Sequence, residues 1–162
     1  MLKLWLICIH NSLTLNIINI MVKDIHDCIQ FANENKLCYL ATVESNQPRV
    51  RALGFWFADE SGFYFQTGDM KSLYLQLCAN PKTEVCFYKP EGMIGTMLRI
   101  SGEVEFLEDL SLKEKVLNER PFLKSYGLTV YSPGLIIFRI VHGLAHFWTI
   151  EDNLKPKHLI CF

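Results

Sequence analysis

Two short stretches of this chain carry side chains suited to holding an anion. The first is Pro48-Arg49-Val50-Arg51, where two arginines interrupt an otherwise apolar run. Arginine is rarely buried without a partner, so one reading leaves both guanidinium groups in solvent. The other gives Arg51 an anionic ligand, because its planar fork matches a phosphate bidentately. The second stretch is Gln66-Thr67-Gly68-Asp69-Met70-Lys71-Ser72. It falls where a strand pattern gives way to a helix pattern, and a helix N-terminus offers unpaired N–H groups and the positive end of the dipole. Thr67 and Ser72 add hydroxyls, and Lys71 adds a charge. Ordinary capping of the helix by Thr67 or Asp69 accounts for the same residues. Together the two clusters describe a pocket for a phosphate monoester, provided that pairing of consecutive strands brings Arg51 close to Thr67. The chain has no Walker loop and no G-x-G-x-x-G, which disfavours a nucleoside triphosphate or a Rossmann dinucleotide site.

His142 and His146 are four apart but lie in a strand-like segment, where that interval does not define one helical face. They read as satisfied or exposed histidines, and no metal is expected. No Ser-His-Asp or Cys-His arrangement can be defended from spacing.

The elements that must position these residues follow from periodicity. Ile25, Cys28, Ile29 and Ala32 repeat at three and four residues, which predicts a helix over 22–35. Strands are predicted over 37–43, 49–58, 63–67, 83–88, 95–107 and 135–150. Polar turns separate them at 44–47, 59–62 and 89–92. In the second strand the alternation puts Val50, Ala52, Gly54, Trp56 and Ala58 on one face. A short helix is expected over 70–79, with Met70, Leu73 and Leu77 in its stripe and Asn80-Pro81 as its stop. Further helices are expected over 109–118 and 121–126. Gly102 and Gly143 mark bulges in the long late strands, and the tail 151–162 reads as irregular. Short antiparallel strands with few crossovers imply a mainly β fold, a closed barrel with helices in its connections.

A length of 162 residues suits one domain, and with 50% hydrophobic residues the chain has ample core material. The formal charge of -1 and the absence of long basic runs argue against a nucleic-acid partner. None of the six cysteines forms a C-x-x-C pair, so they read as reduced core thiols of a cytoplasmic protein. Residues 1–20 are apolar but interrupted by His10, Asn11, Ser12, Asn16 and Asn19, and no small-residue cleavage site follows. They are expected to be an extension outside the fold, with Met21 as the functional start and 21–162 as the domain. A spanning helix needs about 20 predominantly apolar residues, so a membrane anchor is the disfavoured alternative.

In this order and spacing, five segments resemble the pyridoxamine-phosphate-oxidase-like flavin-binding split barrels. They are Leu40-Ala41-Thr42-Val43, Pro48-Arg49-Val50-Arg51, Phe63-Tyr64-Phe65-Gln66-Thr67, Lys71 through Asn80-Pro81, and Ile100-Ser101-Gly102-Glu103-Val104. The similarity runs from about Ile25 to Trp148. The resemblance implies a six-stranded antiparallel split barrel that forms a homodimer with FMN at each of two interface sites. By position, Arg51 would hold the flavin phosphate. Ala52 and Leu53 would present backbone groups to the ring. Gln66 and Thr67 would line the phosphate and ribityl side, and Lys71 and Ser72 would complete the phosphate site. Trp148 would pack by the flavin, from the other subunit. The chain departs from the family at Leu73, where a Lys or Arg is common, and in its tail, which lacks the basic segment that receives a vitamin B6 phosphate. The resemblance is therefore to the smaller nitroimidazole-reductase-like and general-stress-like members. The implied function is electron transfer between a reduced nicotinamide and a small acceptor. The alternatives are a flavin-binding protein without turnover, or a split barrel that binds haem or deazaflavin.

Overall fold

The computed structural model describes residues 23–162. The proposed extension, residues 1–20, lies outside the described residues. Helix α1 (Ile25–Glu34) opens on a reciprocal cap. The Asp24 carboxylate accepts from the amides of His26 and Asp27, and the Asp27 carboxylate accepts from the Asp24 amide. Its predicted stripe is the one that faces inward, with Cys28 and Ala32 fully buried.

Among the described residues the rest of the fold is organised by one antiparallel sheet of eight strands. These are β1 (Leu37–Glu44), β2 (Gln47–Gly54), β3 (Phe57–Asp59), β4 (Gly62–Gly68), β5 (Lys82–Lys89), β6 (Thr96–Leu107), β7 (Leu135–Trp148) and β8 (Ile160–Cys161). The order across the sheet is β2-β1-β5-β6-β7-β4-β3, with β8 added to β7. The sheet wraps its inner face around Leu40, Phe55, Phe63, Phe65, Val85, Phe87, Leu98, Ile100, Phe138 and Ile140, all at most 2% exposed. Helices α2 (Ser72–Ala79), α3 (Leu110–Glu119) and α4 (Phe122–Ser125) lie in the connections. All six predicted strands are present, and the mainly β expectation holds. No helix among the described residues is long and apolar enough to cross a membrane.

The predicted strand 49–58 is in fact two strands. It breaks after Gly54 because Phe55 and Trp56 are consecutive and both buried, Phe55 in the barrel core and Trp56 in a second cluster with Val116, Leu117, Leu123, Leu135 and Ile137. A pleated strand sends neighbours to opposite faces, and here both faces are covered only once the chain turns. Val50, Ala52 and Gly54 are exposed while Trp56 and Ala58 are buried, so these five do not share one face as expected. Side chains replace the lost ladder. Arg120 donates to the carbonyls of Gly54 and Phe55 at 3.2 and 2.7 Å, and Lys36 Nζ donates to that of Trp56 at 2.8 Å. Trp56 Nε1 donates to Glu119 Oε2 at 2.6 Å.

The expected bulge lies between β6 and β7. Ser101 pairs with Leu144 and Glu103 with Val141, so Gly102 stands opposite two residues, His142 and Gly143. His142 takes a positive φ of 52° there. A Cβ built on Gly143 would lie 2.0 Å from the Ser101 carbonyl oxygen. We expect Gly143→Ala to destabilise the fold by about 1–3 kcal/mol, read as a lower urea midpoint. The tail is not irregular throughout: β8 pairs Cys161 with Leu144 and Ile160 with Ala145, and Phe162 exchanges backbone bonds with Gly143. Its apolar residues seal the open side of the bulge.

Cys28 and Cys38 are core thiols, pushed up to about 12 chiefly by burial. Cys78 and Cys161 are exposed, which corrects the expectation that the cysteines are all core residues.

Candidate functional site

The β1–β2 hairpin sets the orientation of everything on β2. Its turn is Ser45–Asn46, both at positive φ (47° and 67°), the two-residue geometry that matches strand twist. Glu44 therefore faces Gln47, and the register runs unbroken to Leu37 opposite Gly54. Antiparallel pairs alternate between hydrogen-bonded and non-hydrogen-bonded. The Phe55 amide donates to the Lys36 carbonyl at 2.7 Å, which makes 55, 53, 51 and 49 the bonded positions. The amides and carbonyls of 50, 52 and 54 point to the open edge of β2, which has no strand partner among the described residues. Pro48, with no N–H to give, falls in that outward phase. Ala52 thus presents its backbone to the edge. Leu53 does not: its backbone belongs to the ladder with Cys38, whose thiol also reaches the Leu53 carbonyl at 3.3 Å.

Arg51 points to the inner side. Its Nη1 donates to Thr42 Oγ1 at 2.7 Å and to the Leu40 carbonyl at 3.2 Å, and its Nη2 donates to Gln76 Oε1 at 2.6 Å. Among the described residues, Nε and the second Nη2 hydrogen have no protein acceptor. Burial and the neighbouring Arg49 pull the Arg51 pKa below its ordinary value, against Glu44, yet the group remains a cation. Arg49 behaves differently, lying half-exposed in an ion pair with Glu44 at 2.7 Å.

The second cluster sits at the junction of β4 and α2. Thr67 is 2% exposed, and its Oγ1 is the one buried side-chain polar atom among the described residues with no hydrogen-bond partner. Helix α2 begins after Lys71 with no side-chain cap, so the alternative in which Thr67 or Asp69 caps it is not realised. The side chains of Lys71 and Ser72 are exposed at this start, while Gln66 is half-buried on β4 opposite Ile137. The helix docks through Leu73, Gln76 and Leu77; Met70 precedes it and is 91% exposed, outside the predicted stripe. Leu73 is core at 5% exposure, so a charge at that position has no place in this packing.

Arg51 and Thr67 are not on paired strands. Among the described residues β2 pairs only with β1, and β4 pairs with β3 and β7. What joins the clusters is α2. Gln76 grips Arg51, and Ser72 lies one turn earlier on the same helix, roughly 6 Å along its axis. Gln76 and Thr42 are the residues that sequence reasoning missed. The available signals were a glutamine inside the apolar stripe Leu73–Leu77, and a threonine in phase with the buried Cys38 and Leu40.

An orphaned hydroxyl, an uncapped helix start, a lysine and an arginine with donors to spare fit a phosphate monoester. Asp69 is the only acid in the segment, and its amide is tied to the Gly134 carbonyl at 3.3 Å.

The outer face of the sheet carries a row across five strands: Ala52, Tyr39, Cys86, Arg99 and His146, each opposite the next. Leu37, Tyr39, Val50 and Tyr88 are exposed on this face, at 58%, 45%, 70% and 40%. Arg99 and Glu84 form an ion pair on it. Burial, with Lys157 and Arg99 nearby, holds His146 below its usual pKa. Trp148, opposite Met97, lines a cleft of about 450 Å³ with His146, Lys157 and His158. Its Nε1 donates to Asn153 Oδ1 at 3.3 Å. Within one chain Trp148 belongs to this cleft and not to the Arg51–Thr67 cluster.

A single antiparallel sheet in this order, wrapped on an aromatic core with an anion-suited strand–helix junction, defines the split-barrel class. The pyridoxamine 5'-phosphate oxidase family model matches residues 25–142, and the chain belongs to that family. A NimC/NimA family protein from Clostridium acetobutylicum is 26% identical, over 85% of this chain and 92% of that one, with a TM-score of 0.71. General Stress Protein 26 from Bacillus anthracis is 18% identical, over 85% and 98%, with a TM-score of 0.66. A pyridoxamine 5'-phosphate oxidase homologue from Listeria innocua is 22% identical, over 72% and 90%, with a TM-score of 0.60. No curated protein sequence matches.

Proposed function

We propose that the chain binds FMN as a homodimer and serves as an oxidoreductase between a reduced nicotinamide and a small acceptor. The observation that carries this reading is the Thr67 hydroxyl, buried without a partner beside an uncapped helix start. A buried polar group left unpaired is unfavourable by about 1–3 kcal/mol, and a hydrogen bond to a phosphate oxygen would remove that penalty at Thr67. In this reading Thr67, Ser72, Lys71 and Arg51 hold the phosphate, and Gln66 borders the ribityl chain. The outward amide of Ala52 donates toward the ring and favours negative charge there. Trp148 and the apolar outer face at Leu37, Tyr39, Val50 and Tyr88 supply the contact with a second copy. Bound FMN supplies the hydride and electron exchange, and the chain supplies position, electrostatics and exclusion of water.

Titration of the purified chain with FMN tests the proposal, followed by reduction with NADH or NADPH under anaerobic conditions and a solution mass. Saturable yellow binding, bleaching by a nicotinamide and a mass twice 18.8 kDa are the expected results. A colourless chain that takes up no FMN overturns the reading, and a Soret band redirects it to haem.

Thr67→Val gives a prediction of opposite signs. The flavin-free protein gains about 1 kcal/mol of stability, because the orphaned hydroxyl is gone, while FMN affinity falls by a similar amount. A urea melt and a flavin titration on the same preparation check both halves.

A further inference from the structure

The residue that orients Arg51 lies on a different element, and the bonds around it admit one arrangement. Gln76 is 6% exposed on the inward side of α2. Its Oε1 accepts from Thr42 Oγ1 at 2.6 Å and from Arg51 Nη2 at 2.6 Å, while its Nε2 donates to Glu44 Oε1 at 3.1 Å. A guanidinium can only donate and a carboxylate only accept, so the two ends of this chain determine which way the amide faces. The Thr42 hydroxyl is then committed as well. Its proton goes to Gln76, and a lone pair receives Arg51 Nη1 at 2.7 Å. The same linkage, with Arg49, holds the Glu44 carboxyl below its usual pKa.

Four acceptors, the Leu40 and Arg49 carbonyls, Thr42 and Gln76, therefore take up the Nη1 side of the guanidinium and one hydrogen of Nη2. What remains is Nε–H and the other Nη2 hydrogen, which lie parallel on one edge of the planar group and suit two oxygens of one anion. Gln76 and Ser72 sit four residues apart on one helix, so they share a face. The clasp thus ties the cation to the helix whose start carries Ser72 and Lys71.

We infer that Gln76 is a positioning residue: it turns the free edge of Arg51 toward the helix start and so sets preference for a phosphorylated flavin over riboflavin. This rests on the FMN reading above and deepens it. The side chain need not touch the ligand. It acts by removing rotamer freedom from Arg51 before binding, the general route by which a preorganised group raises affinity.

The test compares FMN and riboflavin affinities, by fluorescence quenching, in four proteins: wild type, Gln76→Leu, Arg51→Ala and the double variant. Wild type reports on the reading itself, since no FMN binding there overturns the flavin assignment and not the role of Gln76 within it. Given wild-type binding, Gln76→Leu should weaken FMN by about tenfold while leaving riboflavin within about twofold. In the Arg51→Ala background the same change should add almost nothing, because the group it orients is absent. Equal losses for both flavins, or losses that multiply in the double variant, identify a packing residue and overturn the inference. Should Gln76→Leu fail to fold, Thr42→Val removes another acceptor of the same clasp at nearly constant shape, and should narrow the FMN-to-riboflavin ratio in the same direction. An unchanged ratio in Thr42→Val overturns the inference.

Discussion

Arg51→Ala should weaken FMN binding by about 1.5–3 kcal/mol, roughly 10- to 150-fold in the dissociation constant, the range for a hydrogen bond to a charged group. The flavin-free fold should change far less, because the two side-chain partners left behind still satisfy each other: Thr42 Oγ1 donates to Gln76 Oε1 with or without the guanidinium. Arg49 provides the internal control. It is two residues away on the same strand, but its guanidinium lies half-exposed against Glu44. An exposed ion pair contributes only about 0–1 kcal/mol, so Arg49→Ala should leave flavin affinity close to wild type. Arg51→Lys should fall between, since an ammonium keeps the charge but cannot occupy Thr42 and Gln76 while still offering a flat edge. Flavin fluorescence titration of the three variants reads all of these. Equal affinities for wild type and Arg51→Ala would remove Arg51 from the site.

Phe55→Ala should be the most damaging single change to the fold, at about 3–5 kcal/mol. The ring is 2% exposed and meets Phe63, Phe65 and Phe87 with centroids at 6.4, 5.2 and 4.8 Å. These partners come from β4 and β5, strands far apart in the sheet order, so the ring closes the core across the wrapped sheet. Its truncation leaves a cavity that rigid strands cannot collapse around. Against a total stability of about 5–15 kcal/mol such a loss is large, and equilibrium urea unfolding should register it as a much lower midpoint. Met70→Ala is the contrast. Met70 is 91% exposed ahead of α2, and its removal should change stability by no more than about 0.5 kcal/mol.

Much of the fold was legible because its signals are local. Alternation marks β1, β4 and β5 to within a residue or two, the Ile25–Ala32 stripe marks α1, and Gly102 and Gly143 stand where the long strands bulge. Those features depend on residues a few positions apart, and sequence spacing reports them directly. The clusters around Arg51 and Thr67 were legible for the same reason, since each is a short run whose side-chain chemistry is visible in place.

What joins them was not legible. Adjacency in sequence suggested that β2 and β4 pair, whereas the sheet sends them to different neighbours and leaves α2 to make the connection through Gln76. The break at Gly54 was hidden as well, because it arises from two separate cores competing for Phe55 and Trp56. Which backbone groups of β2 face its open edge follows from the phase of the hairpin, and whether Thr67 has a partner follows from what surrounds it. Local periodicity therefore determined the elements and the types of group available. Long-range pairing, which no short window of residues encodes, decided which of those groups meet.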